Sequence, residues 1–201
     1  RPSGQMVASA AMAGLTSVGI NVIELGIVTT PGAGIMTTTL ACDGGLVITA
    51  SHNPIEYNGI KTLLSGGLAP PPEDAARIKS LFQKRHIDWV PSPKCGKISS
   101  EPATTETHVD RVLSIIDDAE KIASRRLKVV LDSVNGAGYE PAQRLLTALG
   151  CGVHAINAEP NGIFAHTPEP TKENLTALCD EVKKQQADIG FAQDPDADRL
   201  A

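Results

Sequence analysis

Paired cysteines are missing from this chain. Cys42, Cys95, Cys151 and Cys179 lie far apart with no C-x-x-C among them, which argues against a zinc knuckle or a disulfide framework and favours a reducing, cytoplasmic setting. Basic clusters are missing too. Eighteen Lys and Arg against 23 Asp and Glu leave a formal net charge of −5, and no run is long enough to track a phosphate backbone, so nucleic acid is not an expected partner. No apolar stretch approaches the ~20 residues that span a bilayer, and no charged segment with an apolar core opens the chain, so a membrane is not expected either. What is present is 41% apolar residues over 201 positions, enough for one or two domains.

The chain opens on Arg1-Pro2-Ser3-Gly4, a loop that the following Met6 to Leu15 should turn into a helix stopped at Gly19. A domain rarely starts this way, and the chain stops two residues after Arg199, so the expectation is an excerpt from a longer polypeptide. Strands are predicted over 21–25, 46–50 and 60–64, with helices over 31–41, beginning at Pro31, and 73–85. The stretch from Pro91 to Pro102, poor in bulky apolar residues, marks a hinge between domains of residues 1–98 and 99–201. Beyond it the periodicity predicts helices over 105–121, 139–149 and 171–186, and strands over 128–132, 153–156 and 188–192. This alternation implies α/β architecture: two consecutive layered domains with mixed, mostly parallel sheets flanked by helices. In such sheets ligands gather at the carboxyl ends of strands, where Ser51, Asn135-Gly136 and Asp194 all fall.

Two segments carry chemistry. Thr49-Ala50-Ser51-His52-Asn53-Pro54 places a serine just after a strand, but Thr49 and Asn53 stand where a hydrolase elbow needs glycines, so acyl transfer has little support. A plain Ser/Asn-Pro turn that ends a strand remains an open reading. Against it stands Lys61, which the Asn58-Gly59 turn folds back toward Ser51, where an ammonium stabilises a phosphoserine of roughly −1.5 to −2 charges. His52 adds a donor, although neighbouring side chains in an extended segment point apart.

The second segment is Asp194-Pro195-Asp196-Ala197-Asp198-Arg199. Alternate residues of an extended or looped segment share a side, so the three carboxylates converge and repel one another unless a cation sits among them. Hard oxygen ligands suit Mg²⁺, Mn²⁺ or Ca²⁺ rather than zinc. An EF-hand is disfavoured because Arg199 occupies the glycine position and a strand-like run precedes the loop; a solvated acidic turn without metal stays open. One Mg²⁺ with three aspartates carries about −1 and a phosphoserine takes the group to about −3, so cations are required nearby; Arg199 and Lys61 can supply them. Together the segments suggest phosphoryl transfer through a phosphorylated serine and a divalent ion.

Other motifs weigh less. Asn135-Gly136-Ala137-Gly138 has Pro141 where a dinucleotide loop needs its third glycine, so a tight strand-to-helix turn lining the cleft is the better reading. His86, His108 and His154 lack spacing partners, and Arg125-Arg126 is too short to imply more than a solvated loop.

At these residues the chain resembles the α-D-phosphohexomutase superfamily, which includes phosphoglucomutase, phosphomannomutase and phosphoglucosamine mutase. The family's T-A-S-H-N-P loop with N-G-x-K is similar to residues 49–61, and its D-x-D-x-D-R loop to 194–199. Arg1-Pro2-Ser3-Gly4 resembles the early arginine loop; Asn161-Gly162-Ile163-Phe164 with His166 and Pro168-Glu169-Pro170 resembles the interdomain segment. The resemblance implies that Ser51 carries the phosphoryl group and joins Asp194, Asp196 and Asp198 around Mg²⁺. It also implies that Arg1, His52, Lys61 and Arg199 assist, with Lys61 or His52 handling the hydroxyl proton. The implied reaction moves phosphate between O1 and O6 of a hexose phosphate through a hexose 1,6-bisphosphate. Family members have four domains, so the resemblance further implies that this chain holds most of the first and the second and lacks the C-terminal ones. A metal-dependent phosphatase and a non-catalytic binding or assembly domain are the alternatives.

Overall fold

A computed structural model describes residues 1–85 and 87–201, which leaves His86 outside the described residues. The first half runs α1 (Gly4–Ser17), β1 (Val22–Glu24), α2 (Thr30–Thr39), β2 (Gly44–Ile48), β3 (Ile60–Leu64), α3 (Pro72–Lys84) and β4 (Ile98–Ser100). The second runs α4 (Thr104–Leu113), α5 (Ala119–Arg125), β5 (Lys128–Asp132), α6 (Tyr139–Ala148), β6 (Gly152–Ile156), α7 (Thr176–Gln185) and β7 (Ile189–Ala192). The architecture is α/β.

Three small sheets result among the described residues. β1 pairs with β4 in parallel, β2 pairs with β3 antiparallel, and β5 is the centre of a parallel β6-β5-β7 sheet. As a central parallel strand β5 is covered on both faces, and Val129, Val130 and Leu131 are buried to 1% exposure or less. Val130, Leu178 and Ala192 form the core there, with Ile156, Leu175, Val182 and Ala187 around them. A smaller cluster of Ala33, Val47 and Leu63 holds α2 onto the β2–β3 hairpin.

α2 is the best-started helix of the first half. Thr29, in extended conformation, accepts a hydrogen bond from the Gly32 amide at 3.0 Å, and Pro31 occupies the first turn, where its missing N–H costs nothing. Gly34 allows this helix to touch the turn after β3, since a Cβ there would stand 2.6 Å from the Gly67 carbonyl.

The structure departs from the sequence expectations at several places. The single helix expected over 105–121 is two, α4 and α5. Ile115 and Ile116 bond back only three residues, to Val112 and Leu113, and the Ser114 hydroxyl takes the Arg111 carbonyl at 2.7 Å, so the turn tightens and ends. The helix expected over 171–186 begins as a separate 3₁₀ turn, Lys172–Asn174. The Pro91–Pro102 stretch, read as a hinge, also contributes β4 to the first half, and a division after residue 98 falls inside that strand. α4 then packs against both α2 and α6, joining the halves. Among the described residues no helix is long and apolar enough to cross a membrane.

Candidate active site

The β2–β3 hairpin fixes the serine loop. Its register sets Ile48 opposite Ile60 and Val47 opposite Lys61, and Thr49 N–H continues the ladder to the Gly59 carbonyl at 3.0 Å. Residues 50–58 therefore leave the sheet as a closed loop. Within it the Thr49 hydroxyl accepts from the Ser51 amide at 2.9 Å, and Ser51 adopts φ +48, a left-handed conformation uncommon for serine. That turn breaks the extended geometry expected of the loop and swings His52 toward the serine: its Nδ1 lies 3.4 Å from Ser51 Oγ.

Arg1 holds the loop from outside. Its guanidinium donates to the carbonyls of Ser51, Asn53, Pro54 and Tyr57 at 2.5–2.9 Å, using the fork of donors that arginine alone provides. The same group lies 4.9 Å from the centre of the Phe164 ring, so the segment resembling an interdomain strap covers the clamp. Arg1 thus touches backbone carbonyls rather than the serine hydroxyl.

The acidic loop follows β7 and is closed at its base by reciprocal bonds between Ala192 and Ala201 at 2.8 and 3.0 Å. Its floor is the Asn135-Gly136-Ala137 turn. Ala137 N–H donates to the Pro195 carbonyl at 2.8 Å, and a Cβ on Gly136 would meet that oxygen at 2.5 Å, so only glycine lets the two backbones approach. The turn thus packs directly against the acidic loop.

The two loops meet. Ser51 Oγ donates to Asp194 Oδ2 at 2.7 Å across 143 residues of sequence, and one carboxylate oxygen each from Asp194, Asp196 and Asp198 lies within 4.8 Å of the others. Asp194 Oδ1 accepts the amides of Asp198 and Arg199, both at 3.1 Å. Lys61 Nζ bridges Asp196 and Asp198 at 2.7 Å each, so its ammonium faces the aspartates rather than the serine. Arg199 contributes its amide, while its guanidinium lies 3.8 Å from Glu169.

Burial and the Asp196 charge push the Asp194 carboxyl up to about 6 against the Ser51 hydrogen bond. Burial also pushes Asp196 upward, but hydrogen bonds from Lys61 and Thr30 outweigh it and hold that carboxyl below its ordinary value. Lys61 is lowered by burial yet raised further by the two aspartates, so it stays charged. Among the described residues, Asp196 Oδ1 is buried with no hydrogen-bond partner. An orphaned carboxylate oxygen is costly, and a cation among the three aspartates relieves it. Oxygens around a Mg²⁺ at about 2.1 Å stand about 3.0 Å apart when adjacent and about 4.2 Å when opposite, a spacing compatible with three carboxylates that lie within 4.8 Å of one another.

Sequence reasoning missed Thr30 and Asp132. Thr30 donates its hydroxyl to Asp196 Oδ2 and its amide to the Asp196 carbonyl. Asp132 ends β5 and accepts from His166 Nε2 at 3.0 Å, while His166 Nδ1 faces the Thr167 carbonyl at 2.8 Å. A carboxylate and a carbonyl only accept, so both contacts are hydrogen bonds when the ring is protonated, and the Asp132 contact raises His166 above its ordinary value. The position of Asp132 at a strand's carboxyl end was a visible signal; nothing in the sequence linked Thr30 to residue 196. Pairing partners also appear for His154, 3.0 Å from Glu181, and for His108, 3.3 Å from Thr29.

The chain is similar to known proteins along nearly its whole length. The family model for phosphoglucomutase/phosphomannomutase alpha/beta/alpha domain I matches residues 1–87, and that for domain II matches residues 106–201. A phosphoglucomutase/phosphomannomutase of Thermococcus kodakarensis is 42% identical over 99% of this chain and 43% of its own length. A phosphoglucosamine/phosphogalactosamine mutase of Sulfurisphaera tokodaii is 37% identical over 99% and 44%. The crystal structure of a phosphoglucomutase/phosphomannomutase family protein from Burkholderia thailandensis superposes with a TM-score of 0.83 at 31% identity, covering 100% of this chain and 43% of that one. The chain spans less than half the length of these relatives. On both matched segments, which take in the serine loop and the acidic loop, the chain belongs to the phosphoglucomutase/phosphomannomutase family.

Proposed function

We propose that this chain is the phosphoryl-carrying half of a phosphohexomutase, an isomerase that moves phosphate between O1 and O6 of a hexose phosphate. The observation that carries the reading is the 2.7 Å contact between Ser51 Oγ and Asp194 beside Asp196 and Asp198. Ser51 carries the phosphoryl group. Its Oγ–P bond breaks as a sugar hydroxyl forms the new O–P bond; the resulting hexose 1,6-bisphosphate then returns its other phosphate to the serine. Mg²⁺, held by Asp194, Asp196, Asp198 and Ser51, supplies charge neutralisation on the transferred group when bound.

The residues divide the remaining work. Arg1 keeps the loop shape by its carbonyl contacts, and the left-handed Ser51 presents its hydroxyl to the aspartates. Lys61 is held as an ammonium between Asp196 and Asp198, so His52, whose Nδ1 lies 3.4 Å from Ser51 Oγ, is assigned the sugar's hydroxyl proton unless that pairing breaks. Arg199 N–H braces Asp194 while its side chain is free to turn from Glu169 toward a phosphate. A cytoplasmic setting fits four unpaired cysteines.

Sugar recognition and exclusion of water fall to the rest of the polypeptide, since the relatives are more than twice as long. The test compares this chain with its full-length parent on glucose, mannose and glucosamine phosphates. The parent is expected to turn over one of them and to lose that activity with Ser51→Ala; the chain alone is expected to turn over very poorly. Equal rates for the two, or an active Ser51→Ala parent, contradict the proposal. Rapid loss of phosphate from Ser51 to water, followed by intact mass, would instead identify a phosphatase.

A further inference from the structure

The two oxygens of Asp196 are used unequally. Oδ2 accepts from Thr30 Oγ1 at 2.5 Å and from Lys61 Nζ at 2.7 Å, which fills both of its lone pairs. Oδ1 accepts nothing from the described residues, although Asp196 is only 4% exposed. The carboxylate is therefore turned one way, with its saturated oxygen toward α2 and β3 and its empty one left for another ligand.

The two donors differ in how firmly they can set that orientation. Lys61 shares its ammonium between Asp196 and Asp198 at equal distance, on a flexible four-carbon stem, and can follow either carboxylate. Thr30 is β-branched, sits in the first turn of α2 beside Pro31, and also gives its amide to the Asp196 carbonyl at 2.9 Å. It grips the residue at two points from a capped helix end. Ligand-orienting partners of this kind govern affinity in metal sites although they never touch the ion.

We propose that Thr30 is a positioning residue that fixes Oδ1 of Asp196 as the cation-facing oxygen of the acidic loop. This rests on the reading of that loop as a divalent-cation site. Thr30→Val keeps the shape and removes only the hydroxyl; the freed carboxylate then rotates and presents either oxygen. Thr30→Ser restores the donor. Thr37→Val serves as the control, because it removes another buried hydroxyl from the same helix, one bonded only to the Ala33 carbonyl.

The experiment is Mn²⁺ titration of the whole chain, read by electron paramagnetic resonance, with a thermal melt of each variant. Thr30→Val is expected to weaken Mn²⁺ binding by about tenfold or more, while Thr30→Ser and Thr37→Val bind like the original chain. Unchanged affinity in Thr30→Val overturns the proposal, as does an equal loss in Thr37→Val, which would assign the effect to helix stability. A chain that binds no Mn²⁺ before any substitution removes the cation site itself, and this proposal with it.

Discussion

β5 in the second half and the β1–β4 pair in the first are both parallel sheet, yet Val130 is fully buried while Ile23 and Ile98 remain 38% and 52% exposed. Neither α1 nor α3 buries a single residue, and Phe82 on α3 is 84% exposed. The acidic loop thus stands on a parallel sheet buried on both faces, whereas the serine loop leaves a hairpin covered by α2 through the smaller Ala33, Val47 and Leu63 cluster. What steadies the serine loop comes from contacts specific to it: the Arg1 clamp and the bond to Asp194. One loop rests on the larger core, and the other on a smaller one reinforced by the Arg1 clamp.

The sharpest way to break that contrast is truncation in each half. Leu131→Ala is expected to cost about 2–5 kcal/mol in denaturant unfolding, and Phe82→Ala no more than about 0.5 kcal/mol. Similar costs for both would mean the halves are equally packed. Gly136→Ala comes next: its methyl group pushes into Pro195, at an expected cost of about 1–3 kcal/mol, and Mn²⁺ affinity should fall with it. Arg1→Ala should leave global stability almost unchanged while amide exchange in residues 50–58 speeds up by about tenfold or more, and Arg1→Lys should not rescue it.

The smallest expected effect is one of pH, and it belongs to the second half. The hydrogen bond to Asp132 raises His166 above its ordinary 6.5, so the stability it contributes is complete below that value and fades as pH climbs through the raised one. Asp132 is pushed up by burial, but bonds from His166, Asn157 and Val134 hold it below its ordinary 3.8. Its contribution is complete above 3.8 and fades as pH falls through the lowered value. Thermal melts should therefore decline gently on the alkaline side, and His166→Gln should abolish that slope. A slope that survives the substitution points to another group.

Much of this was legible in the sequence because the chemistry is dense and local. Thr49–Pro54 and Asp194–Arg199 each place several functional groups within six residues, and the strands that deliver them have clear β-rich runs. Long-range partners were not legible. The Arg1 guanidinium reaches four carbonyls more than 49 residues away, a contact that leaves no mark on local pattern. Ile98-Ser99-Ser100 is too short and polar to read as a strand until Val22–Glu24 lies beside it. The break between α4 and α5 was hidden because apolar residues continue through Ile115 and Ile116, although Ser114 and the Asp117-Asp118 pair favour a turn.

The most direct test of the meeting of the two loops is anomalous scattering from crystals of this chain grown with saturating Mn²⁺. The expected result is a single strong peak within bonding distance of Asp194, Asp196 and Asp198, with Ser51 Oγ or its phosphate completing the ligand set. No peak there, or one held by the aspartates with Ser51 turned into another cavity, would contradict it.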